Sequence, residues 1–415
     1  MATIDEFELA DERAQPGTPR RPTRSPDAAW PWWVAAVVLV LVGAATARPI
    51  SGQWQMGILE ADLSTAPVEV WRTEIDRPPG SFWPGEVVGD TLVLGGDTNV
   101  GLDAETGATL WQAEPQTSCH VAEVLACPRL GEDTVLTIDA RTGETTTVPI
   151  PGRAASAVVV DGGLVILVLD EQGFLVTRLT RDGTQRWSTR ITPAPAPDQG
   201  AWGWLDRLGD RIVVYGGQPA VLDLGSGGVL DQPVDVYIYD ETLVTRILPD
   251  GGGGGLTLTN EEGRTITRPG DFPLMAVDET VDAELSIAVG SGVLSMTDAR
   301  DRIVWETSVP ATAMALARLR GVVVVADLGE TSGQRWGYDV ATGELLWERE
   351  DIGYNCRGSG TTLLCDTTTT LTAVDVRDGS TLWSLPAEPT IGPILMTDRG
   401  LFVTEGSEVV AYAWR

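Results

Sequence analysis

The chain contains no lysine, and all 29 of its basic residues are arginine. This absence excludes a lysine that forms a Schiff base or acts as a general base. Histidine is almost as rare, because His120 is the only one in 415 residues. A Ser-His-Asp triad would have to use it, and a metal site built from Cys119, His120 and Cys127 would lack a fourth ligand. We therefore expect no catalytic triad and no metal centre.

Acidic residues, by contrast, are abundant, with 59 Asp and Glu giving a formal net charge of −30. Six of the acidic residues and four of the arginines lie in residues 1–29, so nearly all of the excess belongs to the rest of the chain. Such a surface repels the phosphates of nucleic acids and anionic lipid headgroups. Nucleic acid is therefore not an expected partner.

A phrase of the form Asp-x-x-x-Gly-x-x-x-Trp returns along the chain and predicts a fold built from copies of one unit. The complete copies run from Asp103 through Gly107 to Trp111, from Asp339 through Gly343 to Trp347, and from Asp375 through Gly379 to Trp383. An Asp oxygen can accept backbone N–H bonds in a turn, and Gly supplies the positive φ that a bulged hairpin needs. Each copy therefore reads as strand, turn and strand, and its Trp is suited to covering the gap between stacked sheets.

Partial copies fill the intervening sequence, and they keep Asp139, Gly143, Trp187, Asp223, Gly227 and Trp305. Positions equivalent to the Trp are 71, 111, 147, 187, 231, 267, 305, 347 and 383, which lie 36 to 44 residues apart. This interval predicts an all-β, closed β-propeller of four-stranded blades. The literal count is nine units, but we favour eight, because Thr267 is a poor anchor and a unit can be miscounted between Gln232 and Trp305.

The two ends of the repeat region predict how the ring closes. Trp71 lies in an apolar run that has no turn phrase before it, and Tyr412 lies in a run that has no partner strand after it. Pairing these two runs completes one blade and removes two exposed sheet edges.

The four cysteines form two local pairs, Cys119 with Cys127 and Cys356 with Cys365. The first cysteine of each pair follows a repeat Trp by 8 or 9 residues, so both pairs occupy the same place in their blades. Gly360 and Thr361 are expected to form a two-residue turn between the second pair, which places those cysteines opposite each other within disulfide range. We expect two disulfides, and hence an oxidising compartment.

An uncharged apolar stretch, residues 28–47, is long enough to span a bilayer. Four arginines precede it and only Arg48 follows closely, so the positive-inside rule keeps the N-terminus in the cytoplasm. We expect a disordered cytoplasmic tail at 1–29, a transmembrane helix at 30–47, a linker at 48–66 and an extracytoplasmic propeller at 67–415. The alternative is a signal peptide cleaved near Ala47, which would release the propeller.

The repeat phrase resembles that of the pyrroloquinoline-quinone (PQQ)-like propellers, over about Val68 to Arg415. This family includes quinoprotein dehydrogenases and the outer-membrane assembly lipoproteins of the BamB type. The resemblance implies the propeller fold and either of two activities. In the dehydrogenases, PQQ lies over a Trp floor beneath a ring formed by two adjacent cysteines, with a calcium ion and an Asp base. This sequence has no adjacent cysteines and no Cys for the lipid attachment typical of BamB-type proteins.

We therefore predict a membrane-anchored, extracytoplasmic scaffold that binds a protein or another ligand without catalysis and without a cofactor. The expected partner is another envelope or membrane protein, bound on loops such as 193–199 and 251–255 or on the outer strands. Two alternatives stay open: a PQQ-dependent dehydrogenase, and a ligand-sensing ectodomain that signals through a partner membrane protein.

Overall fold

The computed structural model describes residues 55–415 apart from short segments at 76–81, 97, 114–118, 130–131, 171, 192–202, 217–218, 240, 248–254, 270–273, 275, 279–285, 291, 299, 301, 328–333, 351–352, 354, 367–369 and 387–390. The described residues form β-strands and turns and no helix. None of these residues belongs to a helix of the length and apolarity that crossing a membrane requires. The expected cytoplasmic tail, the transmembrane helix and the possible cleavage site near Ala47 all lie outside the described residues.

The described strands make nine sheets, here numbered in chain order, and the first strand, β1 (Val68–Glu74), joins the last sheet. Sheet 1 contains β2 (Phe82–Val88), β3 (Thr91–Gly96), β4 (Val100–Asp103) and β5 (Thr109–Gln112). Sheet 2 contains β6 (Val124–Pro128), β7 (Thr134–Asp139) and β8 (Thr145–Pro149). Sheet 3 contains β9 (Ala154–Val160), β10 (Gly163–Asp170), β11 (Gly173–Leu179) and β12 (Gln185–Ile191). Sheet 4 contains β13 (Gly203–Leu208), β14 (Arg211–Gly216), β15 (Ala220–Asp223) and β16 (Val229–Asp231). Sheet 5 contains β17 (Asp235–Tyr239), β18 (Thr242–Ile247), β19 (Gly255–Asn260) and β20 (Thr265–Pro269).

The remaining sheets follow the same order after a two-residue strand, β21 (Ala276–Val277). Sheet 6 contains β22 (Ser286–Gly290), β23 (Val293–Thr297) and β24 (Ile303–Ser308). Sheet 7 contains β25 (Ala313–Leu319), β26 (Val322–Asp327), β27 (Arg335–Asp339) and β28 (Leu345–Arg349), with β21 on the free side of β25. Sheet 8 contains β29 (Asn355–Ser359), β30 (Thr362–Asp366), β31 (Thr370–Asp375) and β32 (Thr381–Pro386). Sheet 9 contains β33 (Ile391–Thr397), β34 (Gly400–Glu405), β35 (Glu408–Ala413) and β1.

Sheet 9 confirms the predicted ring closure. Strand β1 pairs with β35 in antiparallel register, with Trp71 opposite Ala411 and Glu69 opposite Tyr412. The first strand of the propeller and the last strand of the chain therefore share one sheet, and the predicted all-β propeller is confirmed.

The blade count follows from the first strand of each sheet. Sheet 2 keeps only the remnant of a first strand, an isolated bridge between His120 and Ala126. Sheet 6 has none, because β21, which stands in that place in the sequence, pairs in parallel with β25 of sheet 7. Seven sheets thus keep a first strand of their own and sheet 2 keeps its remnant. These eight form the eight-bladed propeller, and sheet 6 is the incomplete ninth unit. It falls between Gln232 and Trp305, where the repeat is weakest.

Apolar clusters between neighbouring sheets form the core. Strand β26 is buried along its whole length, because sheets 6 and 8 cover both of its faces. A short continuous apolar run such as Val322 to Ala326 is what a strand covered on both faces requires. Sheet-to-sheet packing around the ring therefore replaces a single central core.

The segment just before β1, within the stretch assigned to a linker, packs on the propeller. Met56 forms a bridge with Val277, and the Leu59 amide donates to the Gly358 carbonyl at 2.8 Å. Met56 is 1% exposed and Leu63 is fully buried. This part of the expected linker is therefore in contact with sheets 7 and 8 of the propeller.

Candidate functional site

The repeat carboxylates serve the turns. Asp103 accepts hydrogen bonds from the amides of Glu105 at 3.1 Å and Thr106 at 2.8 Å, and from the Thr106 hydroxyl at 2.8 Å. The same arrangement recurs at Asp139, Asp223, Asp339 and, with Arg377 as its partner, Asp375. Hydrogen bonds from Thr106 lower the pKa of Asp103 below its ordinary value, because they favour the charged form. These residues are turn-forming groups rather than a shared reactive site.

The repeat tryptophans close the gap between one sheet and the next. The indole Nε1 of Trp111, in sheet 1, donates to the carbonyl of Ala140, in sheet 2, at 2.8 Å. In each case the acceptor is the residue that follows the turn Asp of the next sheet, and the equivalent bonds are Trp71 to Ala104, Trp187 to Leu224, Trp305 to Val340 and Trp347 to Val376. Each Trp therefore belongs to one blade and anchors the next.

The repeat glycines make room for these rings. Gly143 has φ +71, and a Cβ placed on it would lie 2.4 Å from the Cβ of Trp111. Gly107, Gly227, Gly343 and Gly379 are related in the same way to Trp71, Trp187, Trp305 and Trp347. Glycine is thus required both for the turn conformation and for the close approach of the preceding Trp.

A bulge sets the direction of every one of these side chains. In β5 the residue before the Trp, Leu110, has no partner, because Thr109 pairs with Leu102 and Trp111 pairs with Gly101. The same skipped residue precedes Trp71, Trp187, Trp305, Trp347 and Trp383. A bulge adds one residue to a strand and turns the following side chain. It also explains why apolar residues such as Leu110, Val304 and Leu346 are exposed on the outer strands.

At the boundary of sheets 8 and 9, the tryptophan bonds to a residue outside the repeat turns. Sheet 9 has no turn between its third and fourth strands, because those strands come from opposite ends of the chain. The indole of Trp383 donates instead to the carbonyl of Leu63 at 2.8 Å. Tyr412, expected at the closure, is half-buried in the same cluster as Leu63 and Trp383, and burial raises its pKa.

The boundary of sheets 2 and 3 lacks both the Trp and the bulge. Strand β8 pairs without interruption, with Thr146 opposite Thr137 and Thr147 opposite Leu136. The register therefore puts Thr146, not Thr147, in the place that Trp111 takes opposite Gly101. The glycine of the next turn, Gly183, meets no ring, and a Cβ on it would have only the Pro149 carbonyl, at 3.6 Å, within reach.

A cavity of about 810 Å³ lies at this boundary. We call it the sheet 2–3 cleft and define it by Thr137, Thr146, Val148, Leu164, Arg181 and Arg207. Its lining also includes His120 and Glu123 from sheet 2 and Asp161 from the turn between β9 and β10. The cleft is thus part apolar, part hydroxyl-bearing and charged at its rim.

Charged residues meet at the interior of the ring beside this cleft. The His120 Nε2 atom lies 2.9 Å from Asp206 Oδ1, which joins sheets 2 and 4 past sheet 3. Partial desolvation raises the pKa of Glu86, the His120 ring lowers it, and the Asp206 and Glu241 carboxylates raise it. His120 Nδ1 is buried and has no hydrogen-bond partner among the described residues. The sequence signal for this cluster, a single histidine, did not point to it, because its members are far apart along the chain.

Both expected disulfides are confirmed. Cys119 bonds to Cys127 with a Cα–Cα distance of 4.1 Å, and Cys356 bonds to Cys365 at 4.2 Å. Cys356 and Cys365 stand directly opposite each other in β29 and β30, and Gly360 has φ +57 in the turn between them. Each disulfide links the first and second strand positions of its sheet. The four sulfurs are therefore not available as metal ligands.

The described residues do not fit a calcium and quinone site. In the part of the chain that the structure describes, no group of three His, Cys, Asp or Glu side chains is arranged to hold a metal ion. The two disulfides join cysteines 8 and 9 residues apart, so neither forms the ring of adjacent cysteines. Two loops named as binding surfaces, 193–199 and 251–254, lie outside the described residues.

Comparison with known proteins identifies a matching family. The family model described as outer membrane protein assembly factor BamB matches residues 96–233 and 277–389, together more than half of the chain. No curated protein sequence matches the chain.

Solved structures of similar shape were also found. BamB from Moraxella catarrhalis is 13% identical, covering 84% of this chain and 100% of its own, with a TM-score of 0.45. The computationally designed Ika8 protein is 12% identical, covering 84% of this chain and 100% of its own, with a TM-score of 0.48. Quinohemoprotein alcohol dehydrogenase from Comamonas testosteroni is 11% identical, covering 90% of this chain and 82% of its own, with a TM-score of 0.45.

Proposed function

Because the chain belongs to the family of the outer membrane protein assembly factor BamB, we propose that it is an extracytoplasmic scaffold that binds another envelope protein. The observation that carries the proposal is the use of the repeat residues. Each repeat Asp, Gly and Trp takes part in a turn or in a contact between sheets. These structural roles leave the outer surface and the sheet 2–3 cleft available for binding a partner, and they do not form a reactive centre.

Two disulfides support the extracytoplasmic location, because such bonds form and persist in oxidising compartments. We further propose that residues 30–47 anchor the chain in the membrane without cleavage, with residues 1–29 in the cytoplasm. The apolar run and the arginines before it support this proposal. N-terminal sequencing of the membrane-bound chain tests it, and a mature chain that starts at Arg48 would replace the anchor by a signal peptide.

The scaffold role is tested by co-purification of the tagged full-length chain from chemically cross-linked envelopes. The expected result is a discrete adduct with one envelope protein, absent when the chain is unfolded before cross-linking. Recovery of the folded, tagged chain without any cross-linked envelope protein would contradict the proposal.

The dehydrogenase alternative has its own test. The purified chain is supplied with PQQ, calcium and an artificial electron acceptor, and quinone absorbance is followed after gel filtration. We expect neither retention of the quinone nor reduction of the acceptor with any alcohol or aldose. Stoichiometric retention or turnover would make the scaffold role wrong.

A further inference from the structure

We infer that the sheet 2–3 cleft binds an aromatic side chain of a partner polypeptide, in a segment that places a carboxylate next to it. This inference rests on the proposed function, because it names the surface and the kind of partner that the scaffold uses.

At other boundaries between sheets, a tryptophan ring fills the place that is equivalent to the cleft. At five boundaries the indole of the preceding sheet lies against the next turn and donates Nε1–H to its backbone. At the sheet 2–3 boundary Thr146 takes that place and carries no ring. The next turn keeps its glycine, Gly183, with no ring against it, so the place that an indole takes at those five boundaries is open here.

The size of the sheet 2–3 cleft favours a peptide over a single aromatic ring as its ligand. The volume of about 810 Å³ falls within the range of roughly 300 to 1,000 Å³ that is typical of ligand sites. One indole would leave much of the cleft open, whereas an indole together with its flanking backbone would fill it. The threonine hydroxyls of Thr137 and Thr146 can exchange hydrogen bonds with that backbone.

The charged residues at the rim of the cleft favour a carboxylate next to the aromatic side chain of the ligand. Arg181 is exposed and has no hydrogen bond or ion pair with any residue that the structure describes. Asp161 is shared by two guanidinium groups, Arg178 at 3.2 Å and Arg207 at 3.5 Å. The lining therefore holds two arginines, Arg181 and Arg207, and two carboxylates, Asp161 and Glu123. Arg207 is paired with Asp161, which leaves the Arg181 guanidinium to meet an added carboxylate. A carboxylate on the ligand is attracted here, and Glu123 in the lining disfavours a second one.

The test uses N-acetyl-5-fluorotryptophan as the probe, followed by ¹⁹F NMR with the full-length chain. Fluorescence of the protein is unsuitable, because the chain holds 15 tryptophans. A saturable shift or broadening of the probe signal is expected. The neutral amide of the same probe should bind about threefold to fivefold more weakly, as the loss of one exposed charge pair allows.

Two substitutions and two matched controls locate the site. Thr146→Trp places an indole in the cleft and should weaken probe binding by at least about tenfold, which corresponds to 1.4 kcal/mol. Thr145→Trp adds the same ring one residue earlier, at an exposed position outside the lining where strand alternation turns it towards sheet 1, and should leave binding within about twofold. Arg181→Glu should weaken binding of the acidic probe about threefold to fivefold, and Arg186→Glu, on the outer strand β12 and outside the lining, should not.

No saturable change with the wild-type chain, or equal binding by Thr146→Trp and the wild type, would overturn the inference. Arg181→Glu keeps the test decisive should Thr146→Trp fail to fold, because Arg181 is exposed. Co-purification of the same envelope protein with both the wild type and Thr146→Trp would show that the partner does not bind in the cleft. The scaffold role would still stand. Probe binding without any co-purified envelope protein would instead contradict the scaffold role.

Discussion

Sheet 2 has two faces that meet its neighbours in opposite ways. Towards sheet 1 it receives Trp111, whose indole donates to the Ala140 carbonyl and is only 9% exposed. Towards sheet 3 it offers Thr146, in an outer strand without a bulge, beside a cavity of about 810 Å³. The same repeat therefore yields a packed boundary where the Trp and its bulge are present and an open one where both are absent.

The largest effect is expected at the packed boundary. Trp111→Ala removes a buried ring and its hydrogen bond and should destabilise the protein by about 3–5 kcal/mol. Thr146→Ala, across the sheet, should change stability by less than about 0.5 kcal/mol, because an exposed side chain is lost without a buried contact. Chemical denaturation of the two variants measures the contrast. Equal losses would remove the distinction between the two boundaries.

The disulfide beside the packed boundary comes next. Replacing Cys119 and Cys127 by serine should cost about 2 kcal/mol, because the bond closes only a short loop in the unfolded chain. The equivalent replacement of Cys356 and Cys365 in sheet 8 should cost a similar amount, since that loop has nearly the same length. Thermal unfolding of both variants provides the measurement. A loss confined to one pair would show that the two hairpins are not equivalent.

Filling the open boundary should have a smaller and opposite effect. Thr146→Trp is expected to stabilise the protein by about 1 kcal/mol, since the new ring buries part of its apolar surface without the bulge that orients the native tryptophans. An increase in melting temperature relative to Thr145→Trp, which adds an indole outside the cleft, checks this. A clear decrease would mean that the cleft cannot accept an indole.

The smallest effect concerns pH. The pKa of Glu86 is raised in the folded chain, so the folded state holds more protons than the unfolded state between the ordinary value of 4.5 and the raised value. The stability that this provides is present below the unfolded pKa and is lost as pH rises through the folded pKa. Glu86→Gln, which stays uncharged, should flatten the melting-temperature profile over the pH range just above the ordinary value of 4.5. An unchanged profile would mean that Glu86 is not coupled to folding.

Much of the fold could be predicted because the repeat phrase has a local physical cause. Asp103 and Gly107 form their turn from residues three and four apart, so composition and spacing suffice. The pairing of the strand that holds Trp71 with the last strand of the chain followed from two ends that each lacked a partner, whereas its register did not. The cysteine pairs followed from their closeness in sequence and from their nearly equal distances, 8 and 9 residues, to a repeat Trp.

The cleft could not be predicted in the same way. The sequence aligns Thr147 with the tryptophans, but the register places Thr146 there, because a bulge depends on hydrogen bonds between strands and leaves no mark in spacing. The grouping of Glu86, His120 and Asp206 depends on strands from three different sheets. The pairing of β21 with β25 of sheet 7, instead of with a strand of sheet 6, could not be predicted either. It depends on contacts with β25 and with Met56, which both lie far from β21 in the sequence.

Site-specific photo-cross-linking tests the contrast between the two faces of sheet 2 most directly. A residue with a short aliphatic diazirine side chain, which does not fill the cleft with a ring, is placed in living cells at position 146. It is placed separately at position 110, the exposed bulge residue on the outer strand of sheet 1. We predict one discrete adduct with an envelope protein from position 146 and none from position 110. The same adduct from position 110 alone, or no adduct from position 146, would contradict this prediction.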